Sequence, residues 1–162
     1  MEQENNSKIS KLYLASMLLF MLILPVISIV IDTCYNSGSS IFYIGKWFVF
    51  WAIGIRLLTA GLRQVIKPEF TAKDILHIDS IESHIIVREL GFANICFGLA
   101  GVVSMYIPEW RTAAAFTGGL YMGIAGIQHI IKKPSTPNEM VAMVSDIFIF
   151  LVMAVYVGMM RF

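Results

Sequence analysis

Six side chains of this sequence combine titratable or amide chemistry with a place inside or beside a long apolar run: Arg56, Arg63, Glu89, Asn94, His129 and Asp146. Arg56 interrupts the stretch WAIGIRLLTAGLRQVIKP (51–68), which otherwise reads as a membrane span. A charge at the bilayer centre costs at least about 2.5–3.5 kcal/mol and normally pairs inside a bundle. Arg56 is therefore expected to face an acid, with Asp146 the deepest candidate and Glu89 the second. A guanidinium set against a carboxylate can hold an anionic or oxyanionic group. Imidazole and carboxylate groups beside it can move protons. The same residues also admit a plainer role: the Arg56 pair locks helices, and Arg63, Glu89 and His129 snorkel to an interface.

Placing these groups requires helices. The chain has 162 residues, 57% of them hydrophobic and 14% charged, with a mean hydropathy of +0.74. Soluble domains carry about 25% charged residues, and the apolar excess here lies in blocks matching the roughly 20 residues that cross a bilayer. Five spans are expected, at 12–31, 41–66, 89–107, 112–131 and 140–160. Pro25 should bend the first, Pro68 stops the second and Pro108 the third. The segment 71–88 is too charged to span; it reads as a helix lying at the interface or extending the third span, with no Gly or Pro inside it. The fold class is an all-α polytopic membrane bundle: a tail at 1–11, an N-terminal transmembrane helix, and a four-helix core over 41–160.

Orientation follows from Lys and Arg. With the N-terminus in the cytoplasm, Lys8, Lys11, Arg63, Lys67, Lys73, Arg88, Lys132 and Lys133 lie inside, and Lys46, Arg111 and Arg161 outside. The chain is expected in the cell membrane with its C-terminus outside. All six candidate residues then fall between the midplane and the cytoplasmic surface, Arg56 lying roughly 15 Å from Lys46 at 1.5 Å per residue. Arg56, Ala60 and Arg63 share one helical face. Gly91, Asn94, Gly98 and Gly101 line a face of the third span, and Ala115, Gly119, Met122, Gly126 and His129 a face of the fourth. Small residues let helices approach in lipid, which turns Asn94 and His129 inward.

Several chemistries are excluded or unsupported. A net charge of +1 leaves no basic face for nucleic acid. Cys34 and Cys96 fit neither a disulfide framework nor a metal spacing. In HIDSIESH (77–84), a helix puts His77 and His84 on one side and Asp79 and Glu82 nearly opposite, so no metal site is expected and the histidines are read as solvated. No P-loop, Rossmann glycine run, Gly-x-Ser-x-Gly elbow or HExxH pair is present. Cofactor, substrate and reaction stay unassigned.

The runs GIRLLTAGLRQ (54–64) and RELGFANICFGLAG (88–101) resemble the DoxX-like membrane superfamily. Arg56, Gly61 and Glu89 fall on its characteristic elements, with Gln64 where that group often has Lys. GGLYMGIAGIQHI and NEMVAMVSDIFIF are further similar to an uncharacterised bacterial and archaeal branch. The resemblance covers roughly 47–160 and implies a four-helix core with the first span as an addition. It implies a small membrane subunit, or a bundle holding a lipophilic small molecule, with other membrane subunits or further copies of the chain as partners beside the lipid bilayer. A quinone-linked oxidoreductase component or a proton-coupled carrier is the alternative.

The topology is testable. A reporter active only in the cytoplasm should work when fused after Lys11 and fail after Phe162; matching signals at both ends would require an even number of spans.

Overall fold

The computed structural model describes residues 10–78 and 80–160. The tail 1–11 up to residue 9, Asp79 of the HIDSIESH stretch, and Arg161 lie outside the described residues. Five helices are long and apolar enough to cross a membrane: α1 (Lys11–Tyr35), α2 (Ser40–Ile66), α3 (Ser83–Val103), α4 (Trp110–Lys132) and α5 (Pro137–Met159). They fit a multi-pass membrane protein in a lipid environment. Leu22, Ile23, Val26, Ile27, Val30 and Ile31 of α1 are exposed on the bundle surface, as lipid-facing residues are.

Local chemistry explains most boundaries. Ser10 caps α1, its Oγ accepting from Tyr13 N–H at 3.4 Å. Pro25 lacks an N–H and its ring crowds the carbonyl one turn back; the helix answers with a π-helical stretch at Leu19–Ile23. α2 contains a second one, Val49–Ile55, ending where Arg56 begins. Such widened turns recur at functional sites. α2 stops at Ile66 before Lys67 and Pro68, since the residue preceding proline is pushed out of the helical region. Thr136 caps α5 by accepting from Glu139 N–H, with Pro137 in the first turn.

The expected helix over 71–88 is two pieces. A short π-helical turn, Thr71–Ile75, closes with Leu76 N–H on Thr71 O at 2.9 Å and Ile78 N–H on Ala72 O at 2.9 Å. His77 between them has φ 57°, the left-handed position that usually carries glycine at a helix end. Without a glycine there, the sequence offers no stop signal. α3 then starts at Ser83, six residues before the expected start of the third span, and ends at Val103 rather than at Pro108.

Two helix pairs pack in different ways. α2 and α3 meet backbone to backbone through Gly54 and Gly61 on one side and Gly91, Gly98 and Gly101 on the other. A Cβ on Gly98 would stand 2.5 Å from Leu58 N and 2.9 Å from Gly54 O, and one on Gly61 would stand 2.6 Å from Gly91 O. α4 instead offers glycine notches to side chains of α5: Met153 enters at Gly119, Phe150 at Gly123 and Ile147 at Gly126. Between the pairs lies the core of Val49, Ala52, Ile53, Leu57, Ala115, Met122, Ile149, Met153 and Tyr156. Lipid is as apolar as these residues, so close packing rather than escape from water holds the helices together.

Gly98→Ala should destabilise the detergent-solubilised protein by about 1–3 kcal/mol, because backbone rather than a movable side chain blocks the new methyl. Gly158, with nothing within 4 Å of an added Cβ, should accept alanine without loss. Equal unfolding midpoints for the two variants would contradict backbone contact between α2 and α3.

Candidate functional site

Arg56 leaves the π-helical stretch of α2 pointing into the bundle and is only 6% exposed. Its Nη2 donates to Asp146 Oδ1 at 2.8 Å and to Ser145 Oγ at 3.2 Å, both on α5. Nε faces the Met17 sulfur of α1 at 3.1 Å and Nη1 the Met122 sulfur of α4 at 3.5 Å. One guanidinium thus ties four helices together. Thioether sulfur is a weak acceptor, so a single carboxylate oxygen supplies the strong partner. Ser145 in turn donates to Ala142 O at 2.7 Å, which fixes its lone pairs toward Arg56.

The pair forms part of the wall of a cavity of about 510 Å³. α1 contributes Tyr13, Ser16, Met17 and Phe20; α2 contributes Leu57, Ala60, Arg63 and Gln64. Leu90 and Asn94 come from α3, Tyr121, Ala125, His129 and Lys132 from α4, and Ala142 and Asp146 from α5. Phe70, Thr71, Ile75 and Leu76 of the segment between α2 and α3 close over one side. The cavity lies toward the end of the bundle where α1 begins.

Of the six residues singled out in the sequence, the structure brings five to this cavity: Arg56, Arg63, Asn94, His129 and Asp146. Arg63 is exposed at its rim, its guanidinium 4.0 Å from the Phe70 ring centre. Asn94 is buried, with Nδ2 donating to Gln64 Oε1 at 2.7 Å and Oδ1 without a partner. Glu89 is not part of the cluster. It is exposed and absent from the cavity wall, because five residues separate it from Asn94 and about 100° per residue carries it to the far side of α3.

One residue of the neighbourhood escaped the sequence reading. Glu139, in the first turn of α5, is 2% exposed. Its Oε2 accepts from Ser135 N–H at 2.8 Å and lies 3.3 Å from His77 Nε2, while Oε1 lies 3.5 Å from His129 Nδ1. His77 therefore sits beside a carboxylate in a turn rather than on a helix, while remaining exposed to its surroundings as the solvated reading expected. The signal was available in TPNE (136–139), a capping-box pattern. Here the carboxylate reaches one residue beyond the cap to Ser135. Because His129 also lines the cavity, this cluster joins the cavity to the turn at His77.

The opposite end carries separate polar contacts. Asp32 Oδ2 accepts from Lys46 Nζ and from Trp47 Nε1, each at 2.7 Å, stapling α1 to α2. Arg111 is buried beneath Phe42, 4.7 Å from its ring centre, with Nη2 3.5 Å from Ser104 O. Among the described residues no group of three or more His, Cys, Asp or Glu side chains has the geometry to hold a metal ion.

Removing one partner of a buried ion pair strands the other and costs about 3–5 kcal/mol, whereas replacing both can be nearly neutral. Arg56→Leu alone should lower stability in a detergent unfolding assay by that order, and adding Asp146→Leu should restore much of it. Additive losses in the double variant would show that the two charges do not depend on each other.

No curated protein and no solved structure matches the chain. Residues 12–161, which include all five helices apart from the first residue of α1, match one family, and the chain accordingly belongs to the family of unknown function DUF6790.

Proposed function

We propose that this protein binds a lipophilic small molecule in the membrane, inside the cavity walled by all five helices. The observation that carries the reading is the cavity itself: about 510 Å³, within the roughly 300–1,000 Å³ of small-molecule sites, with apolar walls and a few convergent polar groups. A bundle needing only a structural ion pair would close around it. Here Asn94 and the Arg56–Asp146 pair border open space instead.

The reading includes kinship with DoxX-like proteins, supported by Arg56, Gly61 and Glu89 in the sequence. Arg56 borders the cavity, Gly61 serves helix contact and Glu89 is exposed. It also includes the cell membrane as the location, with the α1-start end facing the cytoplasm in keeping with the Lys and Arg bias. A second reading, a proton-coupled carrier, draws on the His77–Glu139–His129 cluster, which sets titratable groups between the exposed His77 and the cavity. In that case Glu139→Gln should abolish pH-driven ligand uptake into vesicles while leaving binding intact.

The test is to fill the cavity. Ala125 lines it from α4, and Ala125→Trp should remove its free volume. Native mass spectrometry of the protein released from detergent should show a retained small lipophilic molecule in the wild type and none in the variant. Identical spectra, with Ala125→Trp folded to the same melting temperature, would overturn the reading.

A further inference from the structure

The charges around the cavity say what its ligand must carry, granted the reading above that the cavity holds one. Three cationic side chains line it, Arg56, Arg63 and Lys132, against a single carboxylate, Asp146. That carboxylate is committed to Arg56 at 2.8 Å. Arg63 lies over the Phe70 ring, and neither Arg63 nor Lys132 pairs with a carboxylate among the described residues. The wall therefore holds two cations beyond the neutralised pair.

The N–H groups of Arg56 point the same way. Arg56 directs Nε and Nη1 at two thioether sulfurs, 3.1 and 3.5 Å away, and an anionic oxygen is a far better acceptor for either N–H. Asn94 is 4% exposed and has one amide atom without a partner. As placed, that atom is Oδ1, because Nδ2 donates to Gln64 Oε1. Turning both amides end for end keeps the bond, with Gln64 Nε2 now donating to Asn94 Oδ1. It leaves the Asn94 NH2 as a free donor. Asn94 thus offers a headgroup a neutral amide, an acceptor as placed and a donor when turned, and leaves the charge preference to the cations, while Leu57 and Leu90 supply apolar wall.

We infer that the cavity of this bundle selects a lipophilic acid, an apolar body with one anionic oxygen head, over neutral or cationic amphiphiles of the same length. Carboxylate and phosphate monoester heads share this chemistry, and Arg63 and Lys132 at the rim are the residues that distinguish charged from uncharged heads.

The experiment uses the full chain in phosphatidylcholine nanodiscs, with empty nanodiscs as the partition control. Four probes of one chain length are compared: hexadecanoate, hexadecyl phosphate, hexadecanol and hexadecylamine. Saturable binding of one or both acids at one per chain, about tenfold or more tighter than the alcohol, is the expected result, and the better of the two identifies the head. Arg63→Gln with Lys132→Gln should then weaken acid binding about tenfold and leave the alcohol unchanged. Equal binding of acid and alcohol, or preference for the amine, overturns the inference while the cavity stands as a ligand site. No saturable binding of any probe overturns the inference together with the reading on which it rests.

Discussion

A guanidinium held within an apolar bundle sets the terms for everything around it. Water cannot solvate Arg56 and lipid will not, so the protein must supply both a counter-charge and acceptors for the remaining N–H groups. Asp146 provides the first from α5, and Ser145, Met17 and Met122 provide the second from three helices. Those partners can reach it only if α1, α4 and α5 converge on one level of α2. The glycine contacts make that convergence possible: α3 lies close along one side of α2 through Gly54, Gly61, Gly98 and Gly101, which frees the other side for the charge. Gly118 meanwhile accepts Ile53 just before Arg56, bringing α4 in. Packing and electrostatics here are one requirement seen from two sides.

Much of this was legible because lipid punishes exceptions. Charges within apolar runs are few, so Arg56 and Asp146 identify themselves and each other, and prolines and polar turns set the helix limits to within a few residues for four of the five spans. Helical phase placed Asn94 and His129 correctly with the small residues. The same phase, applied to Glu89, would have turned it away from Asn94. Its type and its depth spoke for it, and its angle did not.

The remainder depended on contacts between distant segments. Glu139 sits where a charge at a helix start ordinarily meets solvent. TPNE marks it as a helix-cap residue, but its burial comes with contacts to His129 and to the distant turn at His77, which that pattern does not announce. The turn itself was hidden by a histidine occupying the position that glycine usually marks. The Met17 contact was invisible for another reason: a thioether in an apolar span carries no polar signature, although beside a guanidinium short of acceptors it becomes a ligand of necessity.

That contact changes how α1 must be regarded. Read as an addition to a four-helix core, the first span would serve as an anchor, and its many exposed apolar residues suit that role. Yet Tyr13, Ser16, Met17 and Phe20 form one wall of the cavity, and Met17 takes the Arg56 Nε. Ser10 at its start is tied into the bundle: its N–H donates to Asn138 Oδ1 at 2.9 Å, pinning α1 to α5 one residue from Glu139. Without α1, the guanidinium would open onto lipid and the cavity would become a groove. The π-helical stretch at Leu19–Ile23 follows Met17, contains Phe20 and takes up the Pro25 distortion there, so that Tyr13 to Met17 keep regular α-helical spacing against α2. The proline that bends the span and the charge it helps to enclose are thus parts of the same construction: α1 is a lipid-facing helix on its outer side and a necessary wall of the site on its inner one.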